Sequence, residues 1–266
     1  MFYVMEHKKI RPRCQLDMES VKTALKVLEL VGAAGQVGVS ELARETGEPK
    51  STVQRNLVTL HEAGWIRPVE IDGRRRWTLS ARVLTLARQL QPAPGLREVA
   101  LEVMETLRAR TQETIHLTLR DGDDVVLIER LDSPQPLRTV RQLGATAPMH
   151  LSSNGKAILA HLPKAEQAKY LNRHLETWTP KSLKDSRALA RDLELVRKRG
   201  FALNDGELDI QIRAVAAPIY LSPGQPIAGL SISCPATRFP DSLINEYGKL
   251  VRAAAKKISS LLAETG

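Results

Sequence analysis

The 266-residue chain is 42% hydrophobic and 26% charged, the balance of a folded globular protein and too apolar for a disordered one. At about 100–200 residues per domain the length suggests two domains, and no apolar run reaches the roughly 18 residues of a membrane span. Cys14 and Cys234 stand alone, which excludes a disulfide framework and a cysteine-rich zinc site. With no secretory core near the N-terminus, the expectation is a cytoplasmic protein without a membrane partner.

The formal net charge is +9 and unevenly spread. Residues 1–91 hold 15 Lys and Arg against 10 Asp and Glu, whereas 92–266 hold 24 against 20 over nearly twice the length. A basic N-terminal third suits a polyanion. Residues 1–16 lack periodicity and carry Lys8, Lys9, Arg11 and Arg13, so they read as a basic arm. Val21, Ala24, Leu25, Leu28 and Val31 then repeat at helical spacing, with Ser20 as the expected N-cap. Ser40 is expected to cap a short helix, 41–46, that Gly47 ends. Pro49 stands where a first-turn proline opens a third helix, with Val53, Leu57, Leu60 and Ala63 on one face. Two short helices around a glycine turn make a helix-turn-helix.

The opposite face of that third helix carries Lys50, Ser51, Thr52, Gln54 and Arg55. Arg bonds guanine bidentately, Gln bonds adenine, and hydroxyls reach phosphates or bases. A merely solvated face has the same composition, and the next segment separates the two. Residues 65–71 and 75–79 read as strands around Asp72-Gly73, a strong hairpin signal, and Arg74, Arg75 and Arg76 follow the turn at once. An arginine-tipped hairpin after a helix-turn-helix is a wing, placed to grip phosphates or enter a minor groove.

Ser80 can cap a further helix with Val83, Leu86, Ala87 and Leu90 on one stripe, before the Pro92-Ala93-Pro94-Gly95 linker signal. A second copy of the chain is a candidate cover for that stripe, and a symmetric dimer would present two recognition helices to a pseudo-palindromic double-stranded operator. Beyond it, a helix over 96–111 leads to strands at 114–119 and 125–131 and an edge strand around 137–140. Helices follow at 154–161, 164–174 and 182–199. Strands at 214–221 and 227–234 flank a turn, and a C-terminal helix spans 240–262. The fold class is α+β with a mainly antiparallel sheet.

The chain resembles the IclR family of bacterial transcriptional regulators from Ser20 to the C-terminal helix. The likeness rests on Glu41-Leu42-Ala43, Pro49-Lys50-Ser51-Thr52-Val53-Gln54-Arg55, Pro148-Met149-His150 and Ser153-Asn154-Gly155-Lys156-Ala157. It rests equally on Arg199-Gly200-Phe201-Ala202, Glu207, Ala216-Ala217-Pro218 and Ser231-Ile232-Ser233 with Pro235. The resemblance implies a winged helix-turn-helix joined by a linker helix to a GAF-like effector domain, forming a dimer or tetramer. The expected division is an arm at 1–19, the DNA-binding domain at 20–80, the linker helix and hinge at 81–95, and the effector domain at 96–266. It also implies a small organic acid as ligand, held by Met149, Ser152, Ser153, Asn154, Gly155, Asn204, Ala214, Ser231 and Ser233. No metal and no other cofactor is expected.

The residues agree in part with that ligand set. A turn of 152–155 opening a helix offers unpaired N–H groups to a carboxylate, and Ser231 and Ser233 put two hydroxyls on one face of an apolar strand. A structural account would make Ser153 an N-cap and the strand serines a hydrogen-bonded pair. Gln211 and Cys234 replace glycines usual in the family, and Asn204 and Ala214 stand where some relatives carry an acid and a cysteine, so the polar contacts should differ. Against an enzyme, the six histidines show no HxH or HExxH spacing, and His150 near Ser152 lacks a G-x-S-x-G elbow. Cys234 is open to two readings, a redox sensor or a small buried side chain. A DNA-coating protein would not need the second domain.

Overall fold

The computed structural model describes residues 18–87 and 95–265. The basic arm, Leu90 and the Pro92–Pro94 linker signal lie outside the described residues. The chain divides into two compact units that meet at Gln91 and Pro92.

In the first unit, α1 (Glu19–Ala34), α2 (Val39–Thr46) and α3 (Lys50–Glu62) surround Val27, Val31, Leu42, Val53, Leu57 and Leu60. The hairpin β1 (Ile66–Ile71) and β2 (Arg74–Leu79) closes that core with Ile66 and Trp77. Three expected caps are displaced. Met18 rather than Ser20 precedes α1, Gly38 rather than Ser40 precedes α2, and Pro49 sits one residue before the first turn of α3. Gly38 has no side chain to offer, but its N–H donates to Glu41 Oε2 at 3.2 Å, so Glu41 makes the cap from inside the helix. The apolar face expected for α1 also shifts. Val27 and Val31 are buried, while Val21 and Leu25 are exposed, so α1 carries apolar residues on two faces. After β2 comes α4 (Arg82–Ala87), whose first N–H donates to Ser80 Oγ, and Leu84 and Leu86 are exposed on it.

The second unit is a six-stranded antiparallel sheet between two helical layers. Its strands are β3 (Thr114–Asp121), β4 (Asp124–Leu131), β5 (Thr146–Pro148), β6 (Ala202–Asp205), β7 (Ile212–Ser222) and β8 (Gln225–Pro235), in the order β5-β4-β3-β8-β7-β6. One face packs on α5 (Leu96–Thr111) and, at the chain's end, α9 (Asp241–Thr265), through Met104, Ile115, Leu117, Leu230, Ile232, Val251 and Ile258. The other face carries α6 (Ser153–Leu159), α7 (Lys164–Leu171) and α8 (Ser186–Arg199) over Ile158, Leu189, Leu193 and Ala216.

The expected edge strand at 137–140 is not a strand. Pro134 and Pro136 remove donors from that stretch, and side chains rather than a ladder take its carbonyls. Arg238 donates to Leu137 O at 3.0 Å, Thr114 Oγ1 to Thr139 O at 3.4 Å, and Arg130 to Arg141 O. The sheet edge is instead β5, paired with β4 through Val125 and Ala147. The helix expected from 182 begins at Ser186, where Asp185 accepts the Ala188 N–H at 2.8 Å.

Candidate functional site

Two surfaces carry the candidate chemistry, one in each unit. On α3, Lys50, Ser51, Gln54 and Arg55 are exposed and Thr52 is half-buried, opposite Val53, Leu57 and Leu60. The wing turns at Asp72 and Gly73, with φ of 51° and 67°. Positive φ at both central residues is the type I′ geometry that Asp-Gly favours. Arg74 and Arg75 stand exposed beyond this turn. Arg76 differs, because it donates to Glu41 Oε2 at 3.2 Å and to Gln36 O at 3.3 Å. The Gly38 N–H and the Arg76 charge together hold the Glu41 carboxyl below the usual carboxylate range. Arg76 thus ties the wing to α2, and the exposed wing charges with no carboxylate partner among the described residues are Arg74 and Arg75, the latter over the Trp77 ring at 5.9 Å.

In the second unit a cavity of about 960 Å³ opens between the sheet, the turn before α6 and the loop that follows β4. Ser152, Ser153, Asn154, Ala214, Ser231 and Ser233 all line it. Ser152, not Ser153, is the N-cap of α6, accepting the Gly155 N–H at 3.4 Å. The two strand serines do not pair with each other. Asn154 Nδ2 donates to Ser231 Oγ at 3.1 Å instead, joining the turn to β8. Gly229 permits this approach, since a Cβ there would lie 2.9 Å from Asn154 Oδ1.

Three residues of the expected ligand set do not line the cavity. Met149 is fully buried in the core beneath α6. Gly155 is a packing position, where a Cβ would sit 2.3 Å from the Met149 Cα. Asn204 is consumed internally, donating to Leu151 O and accepting the Gly206 N–H at 3.1 Å.

The cavity includes residues that the motifs did not single out. His116 and Thr118 on β3 lie beside Ser231 and Gly229 of β8, so the polar floor spans two strands. Alternation of Thr114, His116 and Thr118 with Ile115, Leu117 and Leu119 is the sequence signal that would have found them. His116 is 7% exposed and its Nε2 has no hydrogen-bond partner among the described residues. Burial, with the charges of Arg141 and Arg130, holds its pKa down at about 3. Arg138 and Arg141 on the loop and Gln211 before β7 complete the polar wall.

Other candidates resolve as structure. Lys156, 1% exposed, is paired with Glu207 at 2.6 Å and Asp192 at 2.9 Å. His150 is held by the Tyr170 hydroxyl at 2.8 Å and Glu176 O at 2.9 Å, so both ring nitrogens are occupied and neither serves a serine. Cys234 faces the α5–α9 core, where burial pushes its thiol up to about 12. Among the described residues no helix is long and apolar enough to cross a membrane.

A winged helix with an exposed basic reading face, carried on the same chain as an α+β unit with a polar cavity, defines the class of one-chain transcriptional regulators. The model for the IclR helix-turn-helix domain matches residues 20–70, and that for the bacterial transcriptional regulator IclR C-terminal region matches 92–260. The chain is 30% identical over 247 residues to the transcriptional repressor IclR of Escherichia coli K12, covering 91% of this chain and 89% of that one. The crystal structure of Thermotoga maritima IclR is similar with a TM-score of 0.75 and 31% identity, covering 92% of this chain and 99% of that one. An IclR homologue from Microbacterium hydrocarbonoxydans, complexed with 4-hydroxybenzoate, is similar with a TM-score of 0.74 and 26% identity, covering 93% and 100%. The chain belongs to the IclR family and is a transcriptional regulator rather than an enzyme.

Proposed function

We propose that a small organic acid bound in the cavity of the second unit sets the affinity of this regulator for a pseudo-palindromic double-stranded operator. In this reading residues 20–80 grip DNA. Lys50, Ser51, Thr52, Gln54 and Arg55 enter the major groove, and Arg74 and Arg75 hold phosphates or the minor groove. Residues 81–95 link them to the sensor, 96–266, and the protein works in the cytoplasm beside the chromosome. Exposed Val21 and Leu25 on α1 and Leu84 and Leu86 on α4 support self-association as a dimer or tetramer.

The observation that carries the reading is the cavity itself. Its size suits a small ligand, and Ser152, Asn154, Ser231 and Ser233 bring polar side chains to a site with two arginines on its wall. The bound 4-hydroxybenzoate of the Microbacterium relative supports an acid of this scale. A redox switch at Cys234 is disfavoured, because a raised thiol pKa suppresses the reactive thiolate. The acid shifts operator affinity only through unequal affinity for two conformations, and coupling of about 1–3 kcal/mol would change it roughly 5- to 150-fold.

The test is thermal unfolding against a panel of aromatic and short-chain carboxylates. A binder at a hundredfold excess over its Kd stabilises by about 2.7 kcal/mol. We expect the Ser231→Ala, Ser233→Ala double variant to lose that stabilisation and the acid's effect on operator binding, while binding DNA as tightly as wild type without acid. Joint loss of DNA binding would make the serines structural.

A further inference from the structure

The polar groups around this cavity exceed what one carboxylate can use. We propose that His116 and Arg141 form a second polar subsite beside Ser231, so that the acid held here carries a second oxygen-bearing group rather than a plain hydrocarbon tail. This rests on the acid-binding reading above.

Four observations meet at that place. His116 stands opposite Ser231 in the β3–β8 register, and opposed side chains on one sheet face lie within contact range. It is buried against the cavity with Nε2 unpartnered. Thr139, 6% exposed on the loop wall of the same cavity, likewise has an unpartnered Oγ1 among the described residues. Buried polar atoms ordinarily have partners, and with Asn154 Oδ1 three orphans on one cavity mark positions that the polar atoms of a ligand would complete. Arg141 lines the same wall and has no carboxylate within ion-pair distance among the described residues, unlike Arg130, which holds Asp132 at 2.6 Å.

The chemistry of these groups narrows the ligand. His116 is neutral at ordinary pH, because burial and the nearby Arg141 and Arg130 charges oppose a third cation. A neutral imidazole has one donor and one acceptor nitrogen, which suits a hydroxyl, keto or carboxylate oxygen. Arg141 adds a charged donor fork for a second carboxylate. A hydrocarbon tail laid against these groups would bury them unpaired, and sites built for hydrogen bonding reject analogues that lack the group.

The experiment measures Kd on the full chain for matched acids: butyrate against succinate and 2-hydroxybutyrate, and benzoate against 4-hydroxybenzoate. We expect the oxygenated member of at least one pair to bind tenfold or more tightly. His116→Leu should erase that preference, and Arg141→Gln should weaken succinate more than butyrate. Equal binding within every pair, or a preference that survives both substitutions, overturns the subsite while leaving the acid-binding reading in place. No binding by any acid overturns both. If His116→Leu lacks the unliganded unfolding transition, Arg141→Gln, on the loop rather than the core, decides the matter alone.

Discussion

Among the described residues of the first unit, every buried side chain, from Val27 to Trp77, is aliphatic or aromatic, and the charged and hydroxyl side chains are left at least partly exposed. Among the described residues the second unit buries eighteen polar or charged side chains, and eight of them line the cavity. The difference fits the roles proposed for the two units. A DNA duplex is met from outside, which suits exposed polar groups on a helix face and a hairpin tip over an apolar core. A small molecule must be surrounded, which suits buried polar groups, and each of these then needs a partner in the protein or in the ligand. On that reading, substitutions on the polar surface of the first unit should cost little stability, and substitutions among the buried polar groups of the second should cost more.

The largest expected effect that sharpens this contrast is at Lys156. Lys156→Ala leaves Glu207 and Asp192 without their shared buried cation, and breaking such a pair costs about 3–5 kcal/mol. Hydrogen exchange followed peptide by peptide should show faster exchange in 96–265 and unchanged protection in 18–87. Equal loosening of both regions would break the comparison.

Next comes His116. Its pKa in the folded chain, about 3, lies below the ordinary histidine value of about 6.5, so the unfolded chain takes up the proton first. Stability contributed by the neutral ring is present above about pH 6.5 and is lost as pH falls toward 3. At 1.36 kcal/mol per pH unit this amounts to about 2 kcal/mol between pH 7 and pH 5. His116→Gln should lose that much less over the same interval in urea unfolding, and an identical pH profile would remove His116 as the cause.

On the DNA side, Arg55→Ala should weaken operator binding by about 1–3 kcal/mol and relax base preference, with the unfolding midpoint unchanged. Arg74→Ala should weaken all sequences alike and lower the salt slope by about 1. A fall in stability for either would contradict a reader whose working groups are separate from its core. The smallest effect belongs to Arg76→Ala, which removes a half-exposed pair with Glu41 and should leave the urea unfolding midpoint nearly unchanged, with a smaller change in salt slope than Arg74→Ala.

Sequence reasoning read the first unit more fully than the second, for the same physical reason. Helical spacing at Val53, Leu57 and Leu60 separates core from surface, and Asp72-Gly73 announces its turn, because both signals are local. The limits lay where a backbone atom replaced a side chain, as at Gly38, and where α1 carried apolar residues on two faces. In the second unit residues 137–140 read as an edge strand, with Leu137 and Val140 apolar. Carbonyls in and beside this stretch, however, are taken by Arg238, Arg130 and Thr114, the first of which is distant in sequence. Nor does local pattern show that Asn204 spends its amide on Leu151 and Gly206. His116 was legible as a polar member of an alternating strand, but its partnership with Ser231 depends on a register between strands more than a hundred residues apart.

The sheet that floors the cavity is a single layer, and β3 and β8 present both of its sides. His116, Ser231 and Ser233 face the cavity, while Ile115, Leu117, Leu230 and Ile232 on the same two strands form the bed under α5. That helix begins at Leu96, itself buried in this bed and only five residues past the unit boundary. The cavity floor and the bed that seats the start of α5 are therefore opposite faces of one strand pair, with no further layer between them.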